Sequence, residues 1–341
     1  MGLGTHLRII LPYDKVFPLQ DRSRGRDTIM KHIILDTDPG VDDALAFLLA
    51  FNSPEIKVKA VTTVAGNVNH EKAHKNAKKL LEFLGRESVP VCAGAVQPLV
   101  KKLSHAEEFH GETGLGDSNL PEPRMDTDPR SAVDMIVESA DELGGDLTIV
   151  AVGPLTNIAT AILVDPRLPE KVDKLVIMGG AYHLTPYGHG NANAEAEFNI
   201  WIDPEAAKIV FNSGLSIVAA GLDTTTHPDY RMGREMFNQI VSKGNETTEL
   251  VNDLCRGLVE KYNGFSLHDP QAVAYVVDPS IFTTVKHQVD VECIGEYTRG
   301  MTVVEHSMWR KDSSKENIDV ITEVDAGRFL GLVEERISGR V

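Results

Sequence analysis

The stretch from His32 to Asp43 reads HIILDTDPGVDD, and it decides the fold class of the chain. Its opening residues are apolar, which predicts a buried strand over His32–Leu35. Pro39 and Gly40 end the extended segment, and the apolar pattern that follows predicts a helix over residues 41–51. Four aspartates therefore fall between the end of a buried strand and the first turn of a helix.

The same alternation continues along the chain. Further strands are predicted over residues 57–64, 147–152, 174–178 and 216–220, and helices over residues 70–84, 131–143, 155–163 and 204–212. Apolar strands that alternate with helices are typical of a parallel sheet covered on both faces. We predict an α/β fold with an open, mostly parallel sheet and helices on both faces, as a single domain over residues 31–341. In such sheets, ligands bind beyond the carboxyl ends of the strands.

The first 30 residues lack this pattern. They contain scattered glycine and proline and a basic, polar run from Asp21 to Arg26. A functional arm or a transit segment is an alternative, but the composition favours a vector-derived or poorly ordered piece. We therefore predict that residues 1–30 are an N-terminal extension outside the domain.

The chain is acidic: its 341 residues include 34 Lys and Arg against 50 Asp and Glu, a formal net charge of −16. Nucleic acids and anionic membranes select basic surfaces, so we expect neither as a partner. No apolar run approaches the ~20 residues that a membrane span needs. Cys92, Cys255 and Cys293 form no CxxC pair, which indicates reduced thiols in a cytoplasmic protein.

The density of carboxylates after the first strand points to a bound cation. Asp42 and Asp43 fit the first turn of a helix, where the helix dipole stabilises negative charge, but this does not explain Asp38. Two unit charges ~4 Å apart repel by about 4 kcal/mol at an effective dielectric constant near 20. All the local donors are oxygen atoms, which favours Ca²⁺ or Mg²⁺ over zinc. An EF-hand is excluded because Val41 stands where that loop requires glycine.

Two other functions fit the same residues. Asp36 and Asp38 could serve a phosphohydrolase, although no Lys or Arg stands beside an acidic motif to hold a phosphate. A non-catalytic protein that binds a nucleoside or Ca²⁺ is the second alternative.

Several separated motifs, taken in order, resemble the inosine–uridine nucleoside hydrolase family over about residues 31–335. They are Asp36–Ala44, Thr63–Asn67, Gly153–Asn157, Met178–Gly180, Asn191, Ala196–Asn199 and His268–Pro270. The resemblance implies Ca²⁺-dependent hydrolysis of the N-glycosidic bond of purine or pyrimidine ribonucleosides. It also implies a cytoplasmic homo-oligomer, a tetramer or a dimer, whose partner is a small nucleoside.

The resemblance implies a role for each acidic residue. Asp38 is expected to be the general base and also a Ca²⁺ ligand, together with Asp43, Asp269 and the backbone carbonyl of Thr156. Without the resemblance, Asp269 could equally be a helix N-cap before Pro270.

The remaining site residues follow from the same resemblance. The substrate is expected to contact Asp42, Asn67, His110, Met178, Asn191, Glu197, Asn199 and Asp269. The segment from Ala196 to Ile200 alternates like a strand end, so Glu197 and Asn199 are expected on one face. His268 is expected to protonate the leaving base, with His110, in a glycine-rich loop interpreted as a flexible lid, as the next candidate.

Overall fold

The computed structural model describes residues 30–307, 309–310 and 312–339. Apart from Met30, the predicted N-terminal extension lies outside the described residues, so that prediction stays untested. Among the described residues, the helices are all too short or too polar to cross a membrane.

The strands include all five that were predicted and six more that the sequence pattern did not predict. They are β1 (Lys31–Thr37), β2 (Ile56–Thr63), β3 (Val91–Ala93), β4 (Asp128–Ser131), β5 (Leu147–Ala151), β6 (Lys174–Met178), β7 (Ile217–Ala220), β8 (Phe282–His287), β9 (Val289–Val291), β10 (Thr302–Val304) and β11 (Ile318–Val324). Nine of them form one sheet in the order β4-β3-β2-β1-β5-β6-β7-β11-β8, and β9 pairs with β10 separately. Only β8 runs antiparallel in the large sheet. The predicted mostly parallel α/β sheet is confirmed.

The helices cover both faces of this sheet. They are α1 (Val41–Phe51), α2 (His70–Phe83), α3 (Glu107–His110), α4 (Ala132–Leu143), α5 (Thr156–Val164), α6 (Leu168–Lys171), α7 (Phe198–Ile202), α8 (Pro204–Phe211), α9 (Leu222–Thr225), α10 (Arg234–Val241), α11 (Glu246–Tyr262), α12 (His268–Val277) and α13 (Ala326–Ile337). Alternate residues of β1 belong to different cores: Ile33 and Leu35 pack with α1, α12 and α13, whereas Ile34 packs with α4, α5 and α8.

The sheet order places a crevice at β1. The chain runs outward from β1 through β2, β3 and β4 on one side, and through β5, β6 and β7 on the other. The carboxyl ends of β1 and β5 therefore flank the point where the strand order reverses, which is the usual ligand position in open α/β sheets.

One local prediction is wrong. Residues 196–200 do not end a strand, because Glu197 is the N-cap of α7 and its carboxylate accepts the backbone N–H groups of Asn199 and Ile200. The capping bonds favour a helix start, and the alternation of polar and apolar residues over five positions could not distinguish the two structures.

Candidate active site

Asp38 lies fully buried just beyond β1. Its Oδ2 accepts the backbone N–H of Asn67 at 2.6 Å, and its Oδ1 has no hydrogen-bond partner. The loop after β2 approaches so closely that a Cβ on Gly66 would lie 2.1 Å from Asp38 Oδ2. The glycine of the Thr63–Asn67 motif is therefore required for this close approach. Burial and the charge of Asp43 raise the pKa of Asp38 well above its usual range.

Asp43 is held in the first turn of α1. Its carboxylate accepts hydrogen bonds from the hydroxyl of Thr37, from the backbone N–H of Gly40 at 2.8 Å and from Asn67 Nδ2 at 3.0 Å. The predicted first-turn position of Asp42 and Asp43 is thus confirmed. The DPGVDD motif orients Asp43 through the strand that precedes it and the turn that leads into the helix.

Three carboxylates meet beside Asp38. One oxygen atom from each of Asp42, Asp43 and Asp269 lies within 4.8 Å of the others. Oδ1 of Asp42 and Oδ2 of Asp269 are buried without a hydrogen-bond partner. Burial, reinforced by the neighbouring carboxylates, raises the pKa of Asp42 to about 8 and that of Asp269 well above its usual range. We call Asp38, Asp42, Asp43 and Asp269 the acidic floor. Buried, unpaired carboxylates of this density call for a cation or for protons.

Thr156 does not line the cavity, and its expected role as a metal ligand stays a prediction. Its carbonyl accepts the hydroxyl of Thr160 at 2.7 Å inside α5, and its own hydroxyl donates to Asp203. The backbone that does reach the site lies directly after β5, before α5 begins. Val152 follows β5 directly and lines the cavity, and a Cβ on Gly153 would lie 2.7 Å from Asp38 Oδ1.

A cavity of about 490 Å³ lies against the acidic floor, within the size range of small-molecule sites. Of the residues expected at the site, nine line it: Asp42, Asn67, His110, Met178, Asn191, Glu197, Asn199, His268 and Asp269. The sequence motifs, although far apart in the chain, therefore converge on one cavity. Asp38 and Asp43 lie directly behind Asn67, which contacts both.

Glu197 and Asn199 are fixed by the backbone around them. Glu197 accepts backbone N–H groups from Gly180, Asn199 and Ile200. Asn199 Nδ2 donates to the carbonyls of Val152 and Met178 at 3.0 and 3.1 Å. Burial raises the pKa of Glu197. These bonds hold the polar side chains in one orientation, which suits recognition of hydroxyl groups.

His110 is buried and neutral. Its Nδ1 accepts the backbone N–H of Val41 at 3.1 Å, so the ring proton is on Nε2. Burial lowers the pKa of His110 to about 3. The 3.8 Å separation between its Nδ1 and Asp42 Oδ1 is therefore not an ion pair. His110 ends the short helix α3 rather than standing in an open loop.

His268 opens α12, one residue before Asp269, which is therefore inside the first turn and not an N-cap. Its Nδ1 lies 2.8 Å from the hydroxyl of Thr225. Burial and, to a lesser degree, the charge of Arg231 lower the pKa of His268 to about 4. The ring is accordingly neutral at pH 7, and His268 lines the cavity.

Sequence reasoning missed the outer wall of the cavity. Phe109, Tyr262 and Phe265, which we call the aromatic rim, line it, and Phe109 stacks on the other two at centroid distances of 6.0 and 6.4 Å. Arg231 lines the same wall. Tyr262, Phe265 and Arg231 lie in the stretch from Tyr230 to Ser266, where no motif or periodicity singled out individual residues.

Comparison with known proteins places these features in a class. The pyrimidine-specific ribonucleoside hydrolase RihA of Salmonella gallinarum is 42% identical over 313 residues, 89% of this chain and 97% of that protein. The protein of the same name from Escherichia coli is 41% identical over the same shares. Among solved structures, the purine-preferring ribonucleoside hydrolase from Gardnerella vaginalis has a TM-score of 0.84 and 35% identity, covering 91% of this chain and 98% of that one. The plant nucleoside hydrolase PpNRh1 has a TM-score of 0.83 and 33% identity, covering 91% and 99%.

These relatives are nucleoside hydrolases, enzymes that act on N-glycosyl compounds. A sequence profile described as inosine-uridine preferring nucleoside hydrolase matches residues 33–331. The chain belongs to the inosine–uridine preferring nucleoside hydrolase family, as the motifs indicated. The phosphohydrolase alternative finds no support in the geometry either, since Asp36 is buried and its Oδ1 accepts Thr62 Oγ1 and Asn157 Nδ2.

Proposed function

We propose that the chain hydrolyses the N-glycosidic bond of free ribonucleosides in a Ca²⁺-dependent reaction, releasing the base and ribose. The observation that carries the proposal is the acidic floor, where oxygens of Asp38, Asp42 and Asp269 are buried and unpaired beside a cavity of nucleoside size. The name of the 42% identical relative supports pyrimidine nucleosides as the favoured substrates. The name of the Gardnerella enzyme supports purine nucleosides as the second candidate.

Asp38, Asp43 and Asp269 would hold the cation, with the backbone carbonyl of Val152 in the place first expected of Thr156. The donors are all oxygen atoms, the ligands that Ca²⁺ and Mg²⁺ prefer. The unpaired oxygens of Asp38 and Asp269 fit such an ion, because a cation offsets the cost of burying them. When bound, the ion lowers the pKa of a coordinated water.

Asp38 is suited to act as the general base. The backbone N–H of Asn67 fixes its Oδ2, which leaves Oδ1 to accept a proton from the attacking water. A bound Ca²⁺ would offset the charges of the neighbouring carboxylates and keep Asp38 ionised, as a base must be. A base with one fixed oxygen loses little orientation when the substrate binds.

The polar residues along the cavity would grip the ribose. Carboxylates at Asp42 and Glu197 accept hydrogen bonds from hydroxyl groups and stabilise the positive charge that develops on the sugar. Asn67, Asn191 and Asn199 add amide groups, and Met178 supplies an apolar contact.

His268 serves the departing base in this proposal. If the Thr225 hydroxyl donates to Nδ1, the neutral ring presents Nε2–H to the base as negative charge develops on it. His110, whose proton is also on Nε2, is the second donor on the same cavity. The cytoplasmic location and the tetrameric or dimeric assembly stay predictions from the family resemblance.

The experiment that tests the function compares uridine, inosine and a phosphomonoester as substrates of chelator-treated protein, before and after Ca²⁺ is restored. We expect nucleoside hydrolysis to disappear with the metal and return with Ca²⁺, with no release of phosphate. Phosphate release without nucleoside hydrolysis would contradict the proposal, as would nucleoside binding without turnover. Full activity without any divalent ion would contradict the metal requirement.

A further inference from the structure

Arg231 is a cation in a wall made otherwise of aromatic, polar and acidic groups. Its guanidinium lines the cavity together with Phe265 and His268. It is close enough to His268 to lower the pKa of that ring. Among the described residues, no carboxylate lies within ion-pair distance of its guanidinium, so it does not neutralise the acidic floor by direct contact.

The backbone fixes where this side chain lies. Met232 and Phe265 exchange backbone hydrogen bonds at 2.9 Å in both directions, which joins the segment after α9 to the segment between α11 and α12. Arg231 Nη2 then donates to the carbonyl of Gly264 at 2.9 Å. One side of the guanidinium is thus anchored to the wall of the cavity.

The other donors of Arg231 are incompletely used. Its Nε is buried without a partner, whereas Nη1, which makes no hydrogen bond among the described residues, is not buried and is the donor that a ligand can reach. A buried donor without a partner is costly, and in a ligand cavity the ligand can supply the missing acceptor. Arginine carries five donors and no acceptor, so it can pair with a carbonyl oxygen but not with an amino group.

The position of Arg231 in the cavity determines which part of a bound nucleoside its guanidinium can contact. The polar residues proposed to grip the ribose lie along the buried acidic floor, whereas the aromatic rim is partly open, with Phe109 37% and Tyr262 45% exposed. A base that stacks on the rim can present its edge farthest from the sugar to Arg231, which is anchored at Gly264 beside Phe265. In a pyrimidine this edge carries the substituent at C4, and in a purine the substituent at C6.

We propose that Arg231 recognises the keto oxygen at C4 of a pyrimidine or C6 of a purine, so that the enzyme prefers uridine to cytidine and inosine to adenosine. This assignment rests on the proposed nucleoside hydrolysis. The same contact stabilises negative charge on the oxygen as the base departs. An amino group at that position places donor against donor and leaves the guanidinium unpaired.

The test is the pair of ratios of kcat/KM, uridine to cytidine and inosine to adenosine, in wild type and in Arg231→Met. Methionine keeps much of the length of the side chain but removes the charge and the donors. Of the two ratios, we expect Arg231→Met to reduce the one that is larger in wild type by about 10- to 100-fold, the range for a hydrogen bond to a charged group. Arg231→Lys, which keeps the charge but not the planar fork, should restore part of the ratio. p-Nitrophenyl riboside, which lacks the base, should be hydrolysed within threefold of wild type by both variants.

Arg234→Met is the matched control, because Arg234 does not line the cavity and, within the described part of the chain, its guanidinium makes one hydrogen bond, to Asn263 at 3.4 Å. Its ratios should equal those of wild type. Equal losses on keto and amino substrates, or unchanged ratios in Arg231→Met, would overturn the assignment while leaving nucleoside hydrolysis intact. A wild-type protein that hydrolyses no nucleoside would instead contradict the proposed function and the assignment with it. If Arg231→Met does not fold, an unchanged ratio in Arg231→Lys overturns the proposal.

Discussion

The acidic floor and the aromatic rim face the same cavity but are built in different ways. Backbone N–H groups after β1 and β2 hold Asp43 and Asp38, and the carboxylates of the floor are almost completely buried. The rim comes from α3, from the last residue of α11 and from the segment that follows it, and two of its three aromatic side chains are partly exposed. The floor is therefore suited to the chemistry common to all substrates, while the rim is suited to distinguishing one base from another.

This contrast predicts that substitutions in the floor affect every substrate, whereas substitutions in the rim affect substrates according to their base.

The largest effect is expected for Asp43→Ala, because Asp43 links the strand end, the first turn of α1 and Asn67. We expect the variant to lose both bound Ca²⁺ and hydrolysis of every riboside. Elemental analysis together with activity measurements checks this. A variant that retains about one Ca²⁺ per chain and normal turnover would remove Asp43 from the metal site.

A large but selective effect is expected for His268→Ala. The loss of the hydrogen-bond donor to the departing base should slow hydrolysis of uridine or inosine by roughly 10²–10³-fold, the scale for removing one such donor. p-Nitrophenolate is a stable leaving group, so p-nitrophenyl riboside should be hydrolysed at nearly the wild-type rate. His227→Ala is the control, since His227 packs between Tyr187 and Tyr230 and does not line the cavity. Equal losses on both classes of substrate would mean that His268 only positions Asp269.

The smallest effect is expected for Phe109→Leu in the aromatic rim. Leucine keeps an apolar surface but loses the stacking on Tyr262 and Phe265. Stacking of a base on an aromatic ring contributes about 1–3 kcal/mol, and leucine retains part of it, so KM for nucleosides should rise by about 3- to 10-fold. We expect kcat to stay within twofold. A steady-state result with unchanged KM and a large fall in kcat would assign Phe109 to the chemistry rather than to recognition of the base.

The same contrast explains what the sequence could predict. The strands β1, β2, β5, β6 and β7 were predicted within two residues, because each is a short run that is apolar or alternates and is rich in Val, Ile or Leu. The acidic floor was predicted because Asp38, Asp42 and Asp43 are concentrated in one motif and carboxylates at that density need a counter-charge. The short strands β3 and β4 at the edge of the sheet were missed, since three or four residues carry too little periodicity.

Other parts of the site depend on geometry that the sequence does not encode locally. The choice between Thr156 and Val152 depends on where a strand ends and a helix begins, and the carbonyl of Thr156 turned out to lie inside α5. Arg231 reaches the cavity only because Met232 pairs with Phe265, more than 30 residues further along the chain. Pairing of isolated residues leaves no repeating pattern, so no motif could reveal it.

The central claim is that a buried carboxylate of the floor, Asp38, removes the proton from water. Asp38→Asn tests it most directly, because asparagine keeps a carbonyl oxygen to accept the Asn67 amide but cannot take up a proton. Asp36→Asn is the matched control, since this neighbouring aspartate is also buried and its Oδ1 accepts bonds that an asparagine oxygen can accept. We expect kcat of Asp38→Asn, measured at saturating Ca²⁺ so that loss of a metal ligand is compensated, to fall by at least about 100-fold, with KM changed only a few-fold and the control within tenfold of wild type. Turnover within a few-fold of wild type in Asp38→Asn would contradict the account.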